Sequence, residues 1–250
     1  MRFTAIFIFM WGAIILHATG LSSKPLNDRL LQNRKSYKND FEHQKLFIQA
    51  IVGISYGKLD FSSDNPNDQI NTDSKPGFTI GLLVNKPFSN RTYLSVGMIY
   101  ARYSTDIDQF TASLIDRIEY TESQGLLEIP ILINYQLSEQ KVKPFIFAGI
   151  SSGLLLSAKI DGRRIGGQAG TFKDIDVKDS RNNLAFSTIV GIGTEFPVNN
   201  NGFIIQLKYN HGLTNLVNQE NYIIVAGINP PKFELYNRNF LLVLGYRFGG

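Results

Sequence analysis

Residues 203–210 read Phe203-Ile204-Ile205-Gln206-Leu207-Lys208-Tyr209-Asn210, and this stretch decides the fold. Phe203, Ile205, Leu207 and Tyr209 share one parity. Gln206, Lys208 and Asn210 share the other. A period of two marks a β-strand, whose successive side chains point to opposite faces. One face here is bulky and apolar; the other is polar and carries a charge. Asn199-Asn200-Asn201-Gly202 before it has turn chemistry.

The same alternation recurs along the chain. Eight segments carry it: 45–57, 77–88, 92–104, 124–137, 143–157, 184–196, 202–212 and 239–248. The bulky face of the first is Leu46, Ile48, Ala50, Val52, Ile54 and Tyr56. In the fourth it is Leu127, Ile129, Ile131, Ile133 and Tyr135, and in the eighth Phe240, Leu242, Leu244, Tyr246 and Phe248. The opposite faces read as small or polar: Gln49, Gly53 and Ser55; Ser95 and Gly97; Asn134 and Gln136; Gly149, Ser151 and Gly153; Gly191 and Gly193; Gly245. Segments of this length suit tilted strands crossing a bilayer and exceed the usual five or six residues of a soluble strand.

The connections between segments hold 19, 3, 19, 5, 26, 5 and 26 residues, long and short in strict alternation. An up-and-down membrane barrel predicts this, with tight periplasmic turns and long outer loops. The expected fold is therefore all-β: an eight-stranded antiparallel up-and-down transmembrane β-barrel with both termini periplasmic. Within the last long loop, 213–238, Tyr222–Ile228 is apolar enough for a strand; the alternation argues instead for an excursion or hairpin arm.

A soluble eight-stranded barrel would place its apolar residues inside and its charges outside. So many Gly and Ser suit the cramped interior of a small barrel better than a wet exterior. Aromatics on the bulky face form two expected girdles. Phe88, Tyr135, Phe196, Phe203 and Tyr246 lie near the short turns. Tyr56, Phe78, Tyr100, Phe186, Tyr209 and Phe240 lie near the long loops.

Composition agrees with this frame. Hydrophobic residues are 43 % of 250 and mean hydropathy is −0.07, too low for a bundle of membrane helices. There is no cysteine, which excludes disulfides, thiolate nucleophiles and thiolate-held metals. The net charge of +4 is spread among mixed acids and bases, with no basic stripe for nucleic acid. Arg2, the apolar run Phe3–Leu16 and the small residues Ala18 and Gly20 predict a signal peptide over 1–20, cleaved near Gly20. Residues 21–43 read as a polar periplasmic tail, and 44–250 as the barrel.

Leu127-Glu128-Ile129-Pro130, followed after a short turn by Lys143-Pro144-Phe145 and Ala148-Gly149, resembles the PorT-like family of outer-membrane β-barrel proteins. Tyr209-Asn210-His211-Gly212-Leu213-Thr214-Asn215 and Gly245-Tyr246-Arg247-Phe248 are similar to its later motifs. The resemblance runs from about residue 44 to the end. It implies an outer-membrane barrel, in one member group an accessory of the type IX secretion system, with no catalytic residues to carry over. Outer-membrane barrels usually end on an aromatic residue, whereas Gly249-Gly250 follow Phe248 here.

Glu128, Glu195, Lys208 and Arg247 fall on the interior parity. Buried charges need partners, so an interior salt-bridge network is expected, with Glu195 and Lys208 as one pair across a hairpin. Pro130 inside a strand implies a bulge. His211 lies on the bulky face, where a lipid-modifying barrel would carry a catalytic histidine; its same-face neighbour is Leu213 rather than a serine, so it reads as an interfacial residue. Asp60, Asp64, Asp68 and Asp73 read as a solvated first loop, and Asp161–Gly167 as a flexible loop. The expected protein is non-enzymatic, without metal or cofactor: a scaffold or interaction platform. The alternatives are a small channel or a lipid-modifying enzyme. Its expected partners are outer-membrane lipid, the barrel-assembly machinery and other envelope or secretion proteins.

Overall fold

The computed structural model describes residues 45–63, 70–110, 117–138, 140–166, 169–218 and 233–249. The expected signal peptide and polar tail, Tyr222–Ile228, Asp64 and Asp68 lie outside the described residues.

Among the described residues nine strands form one antiparallel sheet: β1 Phe47–Ser63, β2 Ile70–Pro87, β3 Thr92–Phe110, β4 Arg117–Gln136, β5 Lys143–Ile165, β6 Gly170–Asp176, β7 Leu184–Val198, β8 Asn201–Gly212 and β9 Phe233–Phe248. Eight of them make a closed ring. Its seams are β4 with β5 and β1 with β9, the latter running from Ile48 opposite Phe248 to Ser63 opposite Phe233. Each of the eight segments read from the sequence is a ring strand. β6 is extra. It hairpins onto the far end of β5, pairing Arg164 with Gly170, and takes no part in closure.

The side chains sort as a membrane barrel requires. Outward-facing Val52, Leu82, Ile133, Ile192 and Phe240 are 54, 58, 59, 58 and 64 % exposed, whereas inward-facing Gln49, Glu122 and Asn210 are 1–2 % exposed. Exposed apolar residues in such numbers are tolerable only against acyl chains.

The interior departs from the expectation of small and polar residues alone. Ile51, Leu83, Ile99, Leu126, Leu241 and Val243 form one buried apolar cluster. Leu132, Phe145, Phe147, Ile189 and Ile204 form another. The glycines explain how they fit. Phe147 and Phe145 lie directly opposite Gly191 and Gly193 across the β5–β7 ladder. Their rings fill the space a Cβ would take at either glycine.

The strands also run further than read. At the long-loop end β1 continues to Ser63, β2 starts at Ile70, β4 at Arg117 and β9 at Phe233, and β5 reaches Ile165. Asp60 and Asp73 therefore sit in strands rather than a loop, and Asp161–Ile165 is paired with β4 rather than flexible. Past the apolar band the outward face meets water, so Lys58, Asp106, Thr121 and Arg163 replace Ile and Leu. The ladder persists while the alternation that betrays it vanishes.

Two bulges sit where the strands leave the apolar band. One is at Pro76-Gly77, between Lys75 and Phe78. The other lies between Gly125 and Leu126, opposite which Leu156 of β5 is the extra residue. No bulge occurs at Pro130. The β3–β4 register is the same on both sides of it, from Val96 opposite Ile131 to Ile99 opposite Glu128, with the pairs between left out of the ladder. The lost donor of Pro130 is absorbed as a local gap facing Gly97, and the strand keeps its path.

Candidate functional site

The lumen is filled in three tiers. Nearest the short turns, Asn134 donates to Ser95 Oγ at 2.8 Å, and Ser95 Oγ donates to Asn85. Beside them Arg247 pairs with Glu195 at 3.1 Å and lies 5.3 Å from the ring centroid of Phe47.

The structure thus brings Glu195 to Arg247 and not to Lys208, and the register gives the reason. Glu195 is opposite Ile204, whereas Lys208 is opposite Gly191, four residues further along β8. Arg247 is opposite Gly202. A Cβ on Gly202 would come within 2.9 Å of Glu195 Oε1, so the glycine leaves the path by which Glu195 reaches across β8.

In the middle tier Tyr103 donates to Glu128 Oε1 at 2.8 Å, and Asn210 donates to the Tyr103 hydroxyl at 3.4 Å. Lys208 is buried on the same lumen face. A cavity of about 20 Å³ remains beside Glu128, Ser151 and Asn210. That is room for about one water molecule.

The outer tier was not legible as a site. Chain from the long connections folds into the mouth: a 3-10 turn at Lys178–Ser180 with Arg181–Asn183, and residues 213–218. Arg181 and Val217 form an isolated bridge. Asn182 donates to Asn215 O and Val217 O at 2.8 and 3.1 Å. Leu216 and Val217 pack on Leu59, Ile107 and Leu235. Inside this cap Arg181 donates to both oxygens of Glu122, at 2.8 and 2.6 Å, and Gln124 donates to Glu122 at 2.8 Å. Glu122 lies beyond the apolar band, between outward Thr121 and Ser123. Burial works to raise its carboxyl, but the adjacent guanidinium and the hydrogen bonds hold it below the usual carboxylate range. Glu122 shares the parity of Glu128, which is the one sequence signal that could have placed it inside.

All eleven aromatics read as girdles stand on outward positions. Several associate: Phe78 with Tyr100 at 5.8 Å between centroids, Tyr209 with Phe240 at 4.6 Å, Phe203 with Tyr246 at 5.1 Å. His211 joins the outer set, its Nδ1 3.3 Å from the Tyr209 hydroxyl. Among the described residues no serine or threonine hydroxyl is hydrogen-bonded to its ring.

Beyond the apolar band, β2 to β6 carry a second feature. Their outward face holds Lys75–Asp106 at 2.8 Å, Arg117–Asp108 at 2.5 Å, Arg117–Glu119 at 3.0 Å and Arg163–Glu119 at 2.6 Å. These pairs line an open cleft of about 490 Å³. Among the described residues no group of three or more acidic or histidine side chains is placed to hold a metal.

Residues 32–218 match the family described as outer membrane protein beta-barrel domain. The chain belongs to that family. It is an outer-membrane β-barrel protein, and β9, beyond the matched stretch, is the strand that closes its ring. No curated protein matches it in sequence. Solved structures similar to this barrel include OprG from Pseudomonas aeruginosa, with 11 % identity, TM-score 0.45, covering 83 % of this chain and 98 % of that one. Neisserial surface protein A has 16 % identity and TM-score 0.44, covering 82 % and 97 %. The outer membrane protease OmpT from Escherichia coli has 11 % identity and TM-score 0.49, covering 82 % and 97 %.

Proposed function

We propose that this barrel is a non-catalytic interaction platform, anchored by its ring and engaging other envelope proteins through its outer sheet. The observation that carries this reading is the contrast between its two spaces. Among the described residues the lumen is packed and capped, with a cavity of about 20 Å³ beside Glu128. The outer end instead extends its strands into a charged, water-facing sheet with an open cleft of about 490 Å³. Isolated surface ion pairs contribute little to stability, typically about 0–1 kcal/mol each. Here three of the four pairs share Arg117 and Glu119, which links Asp108, Arg117, Glu119 and Arg163 into one row suited to presenting a fixed charge pattern to a partner.

In this reading the short turns and both ends of the ring face the periplasm, and the outer sheet faces away from the cell. A PorT-like role as an accessory of type IX secretion is one version of it. The L-E-I-P strand and K-P-F hairpin at 127–130 and 143–145 support that version. The reading of His211 as interfacial argues against lipid-modifying chemistry, because its ring partner is Tyr209.

Site-specific photocrosslinking in intact cells tests the proposal. A photoreactive residue at Glu119 or Arg163 is expected to give a discrete protein adduct, and one at Ile131, on the lipid-facing wall, none. Adducts absent from every outer-sheet position would overturn the platform. Loss of exported secretion substrates on deletion of the gene, restored by the intact chain, is the result expected of the secretion version.

A further inference from the structure

We propose that the wall formed by β7, β8, β9 and β1 is a binding site for one anionic, phosphate-bearing membrane lipid, its acyl chain in a groove and its headgroup on Lys58 and Arg238. An open groove of about 410 Å³ lies on this wall, lined by outward side chains that include Val190, Ile192, Leu207, Tyr209, Phe240 and Tyr56. It is apolar along its length and closes at the long-loop end on the Tyr209 and Phe240 rings, 4.6 Å apart. Most side chains on a barrel wall meet lipid as a convex surface. A concave, aromatic-ended groove in the same wall adds fixed apolar contact along one chain.

What lies beyond the rings selects the headgroup. The next outward position on three of the four strands is basic: Lys58 after Tyr56 on β1, His211 after Tyr209 on β8, and Arg238 before Phe240 on β9, while β7 places Thr188 opposite His211. Lys58 is opposite Arg238, and Arg238 is opposite His211. The guanidinium of Arg238 is held in place by donating to Gly212 O at 2.7 Å and Asn237 O at 3.1 Å. Asp60, one outward position further on, is 3.7 Å from Arg238 and offsets part of its charge. Lys58 is exposed and forms no ion pair among the described residues. Groove, rings and cations follow one another along the strands in the order of a lipid's chain, interface and phosphate. Basic residues at that level are how membrane proteins hold anionic headgroups.

The test uses the full chain carrying Trp11→Phe, which removes the only tryptophan. Reporter tryptophans are then placed at the groove rim (Tyr56→Trp) or on the far wall (Leu127→Trp). The protein is reconstituted in symmetric phosphatidylcholine vesicles in which either brominated phosphatidylglycerol or brominated phosphatidylcholine is the quencher. Symmetric vesicles make the result independent of which way the barrel sits in the cell, and independent of the platform reading. The rim reporter is expected to favour the anionic quencher at least about threefold, and the far-wall reporter to show no preference. Lys58→Gln is expected to reduce the rim preference and Lys58→Gln with Arg238→Gln to abolish it. Equal preference at the two reporters, or a rim preference that survives both variants, would overturn the site.

Discussion

Arg181 reaches into the mouth of the barrel and grips both carboxylate oxygens of Glu122, which is itself 1 % exposed. The two residues are 59 positions apart. One belongs to a ring strand, the other to a connection. Removing one partner of such a buried pair leaves an uncompensated charge, at a cost of roughly 3–5 kcal/mol, whereas replacing both with apolar groups can be nearly neutral. Arg181→Met is therefore expected to free the cap. Hydrogen exchange should rise at 177–183 and 213–218 and stay unchanged in β3 and β4 near Ile131. Glu122→Leu with Arg181→Met should restore most of the protection. A single variant as protected as the wild type would mean the pair does not hold the cap.

Acid should open the same cap. The folded-state carboxyl of Glu122 lies below its ordinary value, about 4.3 for a free glutamate. The stabilisation it contributes is thus fully present above that value, and is lost as pH falls through the depressed folded value. Protection factors in the cap, corrected for the intrinsic rate, are expected to be flat from neutral pH to about 5 and to drop below about 4. Glu122→Gln should remove that acid-dependent step.

Filling the glycine opposite Phe147 should loosen the ring. A Cβ at Gly191 would collide with the Phe147 ring and with Leu207 O. Overpacking of this kind typically costs about 1–3 kcal/mol. Gly191→Ala is expected to lower the urea midpoint of unfolding from micelles, while Gly170→Ala, with nothing within 4 Å, leaves it in place. Pairing Gly191→Ala with Phe147→Leu should recover part of the loss.

Charge on the wall should depend on depth. Ile131 lies between Leu127 and Tyr135 on the outward face, and Thr121 lies beyond the apolar band on the same strand. An arginine at the middle of a barrel's lipid face costs about 2–4 kcal/mol, falling to about 0–1 near the interface. Ile131→Arg is expected to lower folding stability in liposomes by that larger amount and Thr121→Arg by little. Equal effects would contradict the lipid-facing assignment of Ile131.

A packed lumen should not conduct. Phe145, Phe147, Leu132 and Ile204 close the section between the Arg247–Glu195 pair and the Glu128 tier. Planar bilayers containing the purified barrel are expected to remain electrically silent. Discrete conductance steps that vanish on heat unfolding would favour the small-channel reading instead.

How far the site could be read ahead follows from what parity does and does not carry. Parity placed Glu128, Glu195, Lys208 and Arg247 on the inward face, because a strand's alternation needs no partner to be read. It did not say who meets whom. Glu195 and Lys208 look like neighbours across the 197–201 turn, yet strand register and the open space at Gly202 give Glu195 to Arg247. Asp161–Ile165 read as a loop because only lipid forces an apolar outward face, and that stretch of β5 stands in water. Arg181 carried no local signal at all. Its role exists only because the chain after β6 turns back into the mouth.

The alternation of Leu207 and Tyr209 with Lys208 and Asn210, repeated eight times, was by itself enough to determine a closed ring with its oily side outward. Each strand meets lipid on one face and lumen on the other, and those two solvents write different residues. Who pairs inside, where the strands end, and that the mouth is capped were decided only by tertiary structure. Those features depend on stagger between strands and on chain returning from a distance, and neither leaves a periodic trace in the residues.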